Sequence, residues 1–221
     1  MNKFVKTSLV LAGVSAAIMA LVGCTAEKNS IEDDVKSEVV TTQIQTNGKL
    51  PIVTIKVKDF GEIKLELYPD KAPNTVNNFI SLANDGFYDG LTFHRIIKDF
   101  MSQGGCPLGN GTGGADYNIK GEFSQNGFKQ NDLKHTVGVI SMARAIDKDS
   151  ASSQFFIVAK DSPHLDGLYA AFGKVIEGLD IVEAINSVKT NPMDAPLESV
   201  IIEEITVDTQ GIEYPVPEKI K

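Results

Sequence analysis

The run Ile52-Val53-Thr54-Ile55-Lys56-Val57, the turn Asp59-Phe60-Gly61 and the run Glu62-Ile63-Lys64-Leu65-Glu66-Leu67 decide the fold class. Both runs alternate in polarity and the first is β-branched, so each reads as a strand with one half-buried face. Ile63, Leu65 and Leu67 fall on one side, and the turn joins the two runs into a hairpin. Downstream, Pro73 stands where a first helical turn tolerates proline, and Val76, Phe79, Ile80 and Ala83 form an apolar stripe at helical spacing. Asp85-Gly86 ends that helix. Short strand-like runs follow at 92–97, 137–142, 154–158 and 170–175. A second helix fits Leu179 to Ile185 with its flanks, and 200–207 closes with a strand. Many short strands, few helices and glycine-rich turns predict a mainly β domain over residues 50–209. Its expected form is a closed antiparallel β-barrel capped by two helices. Residues 210–221 read as a partly ordered tail.

Composition narrows the class. With Lys+Arg 21 against Asp+Glu 29, the chain has a formal net charge of -8, which argues against nucleic acid bound through phosphate contacts. A length of 221 residues with 42% hydrophobic content allows one domain with a real core and excludes a wholly disordered chain. Two cysteines cannot supply a disulfide framework. Nothing repeats at a fixed period, which excludes solenoids and propellers.

The N-terminus reads as an address. Lys3 and Lys6 precede an uncharged, mostly apolar stretch from Thr7 to Val22, the layout of a signal peptide over residues 1–23. Leu21-Val22-Gly23-Cys24 resembles the lipobox of bacterial lipoproteins, in which Cys24 is lipidated and becomes the first mature residue. Residues 25–49 are rich in Ser, Thr, Asp, Glu and Lys and lack aromatics, as a flexible tether does. The expectation is a domain held by acyl chains on the extracytoplasmic face of the cell membrane.

Generic chemical motifs give little. Gly109 to Gly114 matches G-x-G-x-x-G but lacks the following helix and the acidic residue of a βαβ unit, so it reads as a surface loop. His94, His135 and His164 have no metal-ligand spacing, and neither metal nor cofactor is expected. No Gly-x-Ser-x-Gly elbow is present. Cys106, the thiol left after lipidation, has no activating partner in sequence and reads as structural or incidental.

One constellation is specific. Phe93-His94-Arg95-Ile96-Ile97 leads into Phe100-Met101-Ser102-Gln103-Gly104-Gly105. Ser141-Met142-Ala143-Arg144-Ala145, Ser153-Gln154-Phe155-Phe156-Ile157, Leu165-Asp166-Gly167 and Phe172-Gly173-Lys174-Val175 follow in order. In this order and spacing the motifs resemble the cyclophilin family of peptidyl-prolyl cis-trans isomerases, over roughly Pro51 to Val207. The resemblance implies that Arg95 addresses the prolyl nitrogen and carbonyl, and that Gln103 orients Arg95 and touches substrate backbone. It implies a proline socket of Phe100, Met101, Phe156 and Leu165, with His94 beside the arginine at the rim. Ala143 and Arg144 would bind the residue before proline, mostly through backbone. His164, Tyr169 and Arg144 stand where the best-known members carry Trp, His and Asn, so affinity for cyclosporin-type ligands and peptide preference are expected to differ. His164 and Tyr169 still offer an aromatic plane with a polar tip. The implied partners are Pro-containing segments of unfolded or secreted proteins, met by a monomer. A non-catalytic Pro-peptide binding module is the alternative, and intact Arg95 and Gln103 favour the enzyme.

Overall fold

The computed structural model describes residues 48–220. The expected signal peptide, Cys24 and most of the tether lie outside the described residues. Strands β1 (Ile52–Val57) and β2 (Gly61–Leu67) form the expected hairpin, with Val53 opposite Leu65 and Ile55 opposite Ile63. All four side chains are fully buried, so this hairpin founds the core. Asp59 turns the chain at φ 65, in the left-handed region that Asp tolerates better than most residues.

Helix α1 (Pro73–Asn84) buries Val76, Phe79, Ile80 and Ala83, as their spacing predicts. Its N-cap position holds Ala72, which has no side-chain acceptor. The cap comes from far along the chain. The buried Glu122 carboxylate accepts the N–H groups of Asn74 (2.9 Å) and Thr75 (2.7 Å) and the Thr75 hydroxyl (2.7 Å). Burial pushes the Glu122 pKa up, against the pull of those three donors.

Strands β3 (Arg95–Ile97), β4 (Met101–Gly104), β5 (Val139–Met142), β6 (Phe155–Val158), β7 (Ala171–Glu177) and β8 (Ile202–Asp208) complete the sheet, with helix α2 (Leu179–Asn186) between β7 and β8. The order is β3-β4-β6-β5-β7-β2-β1-β8, and every pairing is antiparallel. Periodicity assigns no strand to Met101–Gly104, because Ser, Gln and Gly have little intrinsic strand preference. It becomes β4 by pairing with β3 and β6 on its two sides.

The expected barrel closure is corrected: the sheet is open and curled, with β3 and β8 as its end strands. Near the seam, only the Thr92–Ile201 bridge and its neighbouring backbone bonds join the two edges. The ladder stops there: the segment facing Ile96 is the turn at residues 191–195, whose Asp194 carbonyl accepts the Ile96 N–H (2.8 Å) in place of a strand in register. The tail is also more ordered than expected. Residues 209–220 lie against the body, with Pro217 buried and Ile220 bridged to Asn118. Among the described residues no helix is long and apolar enough to cross a membrane.

Alternation along the strands builds two apolar layers. Ile96, Ile140, Met142, Phe155 and Ile157 face the main core, together with residues of both helices. Met101, Val139, Phe156, Val158, Leu165 and Ala171 form a second buried cluster on the opposite side of the sheet.

Candidate active site

Register aligns the site. Arg95 on β3 is opposite Gln103 on β4, Gln103 is opposite Phe156 on β6, and Phe156 is opposite Ser141 on β5. The four residues make one row across four strands. Since their neighbours Ile96 and Phe155 belong to the main core, the row faces the other way, over the second cluster. The β3–β4 turn is pinned from below by Asn186 at the end of α2. Its amide donates to the Ile97 carbonyl (3.0 Å) and to the Ser102 hydroxyl (3.2 Å), and its oxygen accepts the Asp99 N–H (2.9 Å).

Arg95 is nearly half exposed and pairs with Asp194 at 3.4 Å. Asp194 sits at φ 63, in a turn where the Asn191 side-chain oxygen accepts the N–H groups of Met193 (2.8 Å) and Ala195 (3.1 Å). The carboxylate is therefore held in place by its turn. Gln103 donates its amide to the Gln154 side-chain oxygen (2.8 Å). Gln154 in turn donates to the carbonyls of Gly111 (2.9 Å) and Gly113 (2.7 Å). That loop wraps the buried Cys106 sulfur, which accepts the N–H groups of Gly111 (3.2 Å) and Gly113 (3.3 Å). Burial raises the Cys106 pKa, but the surrounding backbone donors outweigh it and hold the thiol below its ordinary value. Gly105 opens the loop at φ 82, and a Cβ there would stand 2.5 Å from the Ser153 carbonyl. Only glycine fits this turn. The glycine-rich segment is thus the wrapping of a thiol and a glutamine.

Phe100, Met101, Phe156 and Leu165 come together in one apolar cluster, with Ala143 and Tyr169 packed against it. Tyr169 meets Phe156 edge-on at 5.7 Å, and exposed His164 lies 5.3 Å from Phe100. His94 is not at the open rim where the sequence reading places it. It is buried beneath the Gly111 loop, and neither ring nitrogen has a hydrogen-bond partner. Burial above all lowers its pKa, and the neighbouring Arg95 charge adds to the effect. Arg144 is also committed. Its guanidinium donates to the carbonyls of Leu168 (2.9 Å) and Ala145 (2.9 Å) and lies 4.7 Å from the Tyr169 ring centre and 5.1 Å from that of Phe123. It stacks on Tyr169 and also lines a groove. This groove, of about 360 Å³ and next to the apolar cluster, is lined by Gln103, Ala143, Arg144, Gln154, Thr112 and Asn118 among others. Among the described residues no three His, Cys, Asp or Glu side chains converge on a metal site.

Behind Phe156 lies a buried relay that sequence reading missed. His135 stacks on Phe156 at 6.1 Å, with its Nδ1 at 3.2 Å from Asp166 and its Nε2 at 3.0 Å from the Ser141 hydroxyl. Asp166 also accepts the His135 N–H (2.8 Å), which ties the Leu165 loop to the back of the pocket. Burial lowers the His135 pKa although Asp166 opposes the shift, which favours the neutral ring. The run that becomes β6 was visible in sequence as strand-like. The spacing of His135 from Phe156 and Asp166 was not, because the three meet only through β5 and β6. Asp194 and Gln154 were missed for the same reason.

A cation and an amide side by side, over an apolar pocket with an adjoining polar groove, suit a peptide with one compact apolar ring. The family profile described as cyclophilin type peptidyl-prolyl cis-trans isomerase/CLD matches residues 52–207. The chain belongs to the cyclophilin family. Peptidyl-prolyl cis-trans isomerase B of Bacillus subtilis (strain 168) is 51% identical over 131 residues, which span 59% of this chain and 87% of that protein. A peptidyl-prolyl cis-trans isomerase of Helicobacter pylori (strain ATCC 700392 / 26695) is 48% identical over 140 residues, 62% of this chain and 82% of that protein. Among solved structures, a Cryptosporidium parvum cyclophilin type isomerase crystallised in the presence of the dipeptide Ala-Pro superposes with a TM-score of 0.65. It shares 31% sequence identity and covers 71% of this chain and 98% of its own.

In this cyclophilin the relay behind the pocket has a pH signature. His135 titrates in the folded state below its unfolded value of about 6.5, so its stabilising contribution is complete above that pH and is lost as pH falls through the lowered folded value. Unfolding free energies measured from pH 8 down to 5 are expected to fall more steeply for the parent than for His135→Gln. Parallel curves would show that the ring is not held neutral.

Proposed function

We propose that Arg95 accelerates X-Pro rotation by donating to the prolyl nitrogen as the bond twists, while Phe100, Met101, Phe156 and Leu165 grip the ring. The planar bond is held by C–N resonance with a barrier of about 18–20 kcal/mol. As it rotates, conjugation is lost and the nitrogen regains a localised lone pair. A fixed cationic donor there stabilises the twisted state more than either planar state, which is the condition for catalysis. Arginine suits this task because its charge is permanent and its donors form a rigid fork. Gln103, held by Gln154, is placed to orient the fork and meet the substrate backbone. Asp194 holds the guanidinium from the other side. No covalent bond breaks, so the reaction needs neither a nucleophile nor a proton acceptor. A gain on the order of 10⁵ in rate requires about 7 kcal/mol of differential stabilisation, within reach of one oriented cation plus positioning. The observation that supports this reading is the single row Arg95–Gln103–Phe156 on neighbouring strands.

The proposed clients are unfolded or secreted proteins at the extracytoplasmic face of the cell membrane, where a lipid on Cys24 would hold the monomeric domain. Support for this address comes from Lys3 and Lys6, the apolar stretch after them, Leu21-Val22-Gly23-Cys24 and the polar segment 25–49.

Arg95→Ala is expected to lower kcat/KM on an X-Pro peptide by at least about 100-fold, equal to about 2.7 kcal/mol, with little change in Tm. Near-parent activity would refute the cation mechanism. Cys24→Ser is expected to leave the precursor unlipidated and to shift the protein from the membrane to the soluble fraction. The fragment from Leu50 onward should stay fully active. Membrane association that survives the substitution would contradict the lipid anchor.

A further inference from the structure

Residues 209–220 leave β8 and run as a strap to the N-terminal end of α1. Gln210 donates its side-chain amide to the Leu50 carbonyl (2.6 Å), Tyr214 packs on the main core and Pro217 is buried. Asn74 then grips Glu218 twice: its amide donates to the Glu218 carbonyl (3.0 Å) and its oxygen accepts the Glu218 N–H (2.7 Å). Ile220 exchanges both backbone hydrogen bonds with Asn118 (2.9 and 2.8 Å), and the Lys219 ammonium stands 4.0 Å from the centre of the Tyr117 ring. The sheet needs none of these contacts, since its last strand ends at Asp208.

What the strap reaches is a wall of the groove. Asn118 lines the groove beside Gln103, whereas no strap residue lines either the groove or the apolar pocket. The segment around Asn118 has a second set of supports. The Ser152 hydroxyl donates to the Tyr117 carbonyl (2.8 Å), the Tyr117 hydroxyl donates to Asn78 (2.8 Å), and Ile119 bridges Ala151. Ser152 also lines the groove, two residues before the Gln154 that holds Gln103. The segment is thus clamped between Ser152 and the strap, and only the strap side uses residues beyond the matched family region, which ends at residue 207.

We infer that the C-terminal strap is a positioning element for the groove: by fixing the wall at Asn118 it sets the affinity for peptides that extend upstream of the X-Pro bond. The inference rests on the isomerase reading above. The strap does not touch Arg95, Gln103 or Phe156, so the rotation step itself is independent of it. A peptide with nothing before X reaches the groove only at Ala143 and Arg144, short of the wall at Asn118, and is indifferent to the strap. A longer one lies in the groove and senses its wall.

The test uses the full chain and two peptides, one with an acyl group directly on X-Pro and one with several further residues before X, with kcat and KM from exchange NMR. Ile220→Pro removes the N–H that Asn118 accepts, and Asn74→Ala removes the grip on Glu218. Both are expected to raise KM for the longer peptide about fivefold or more, with kcat within about twofold and both constants unchanged on the short peptide. Ile220→Ala keeps the backbone pair and is expected to match the parent. An unchanged KM for the longer peptide in both variants overturns the inference. So does an equal loss on both peptides, which is what general loosening of the domain would give. A parent inactive on both peptides overturns instead the isomerase reading, and the inference with it.

Discussion

The register of β4 between β3 and β6 is the constraint on which the site depends. Arg95, Gln103 and Phe156 are aligned only because Gln103 pairs with both neighbours at the same level. Side chains alternate along a strand, so a slip of one residue would turn Gln103 into the main core and bring Ser102 out in its place. Two devices hold the register. Asn186 pins the β3–β4 turn through three hydrogen bonds, and Gly104 lies where a Cβ would press on Phe93 and the Thr92 carbonyl at 3.3 Å. The sheet therefore supplies precision without any covalent brace.

The cation is held differently from the pocket. Phe156 is held by apolar packing and by the His135 ring stacked behind it. Arg95 is nearly half exposed, and its pair with Asp194 at 3.4 Å adds little to stability at such a site. The value of that pair is orientation. The positive φ of Asp194, kept by Asn191, sets the carboxylate before any peptide arrives. A rigid pocket beside a lightly held cation fits a reaction in which the ring stays still while the bond next to it turns.

Local pattern reads well where one residue's neighbours in sequence are also its neighbours in space. The hairpin β1–β2, the α1 stripe and α2 were legible because alternation and helical spacing report burial directly. The pocket residues were legible only as linked motifs that resemble a family, since Phe100 and Phe156 by themselves read as ordinary core. Closure of the barrel was over-read: strand count says nothing about whether the two end strands meet, and here the turn at residues 191–195 faces β3 where a strand would have to pair. His94 was misplaced because it lies just before β3 and the Gly111 loop folds over it, a long-range contact that the motif alone conceals. Long-range polar partners such as Glu122 on α1, Asp194 on Arg95 and His135 on Asp166 leave no local trace in sequence.

The central claim is that a rigid, oriented fork of donors acts on the twisting bond, and not positive charge alone. Measuring kcat/KM of Arg95→Lys on an X-Pro peptide tests it most directly, because lysine keeps the charge and loses the planar fork. The account predicts a loss of at least about thirtyfold with unchanged folding. Parent-like turnover by the lysine variant would contradict it.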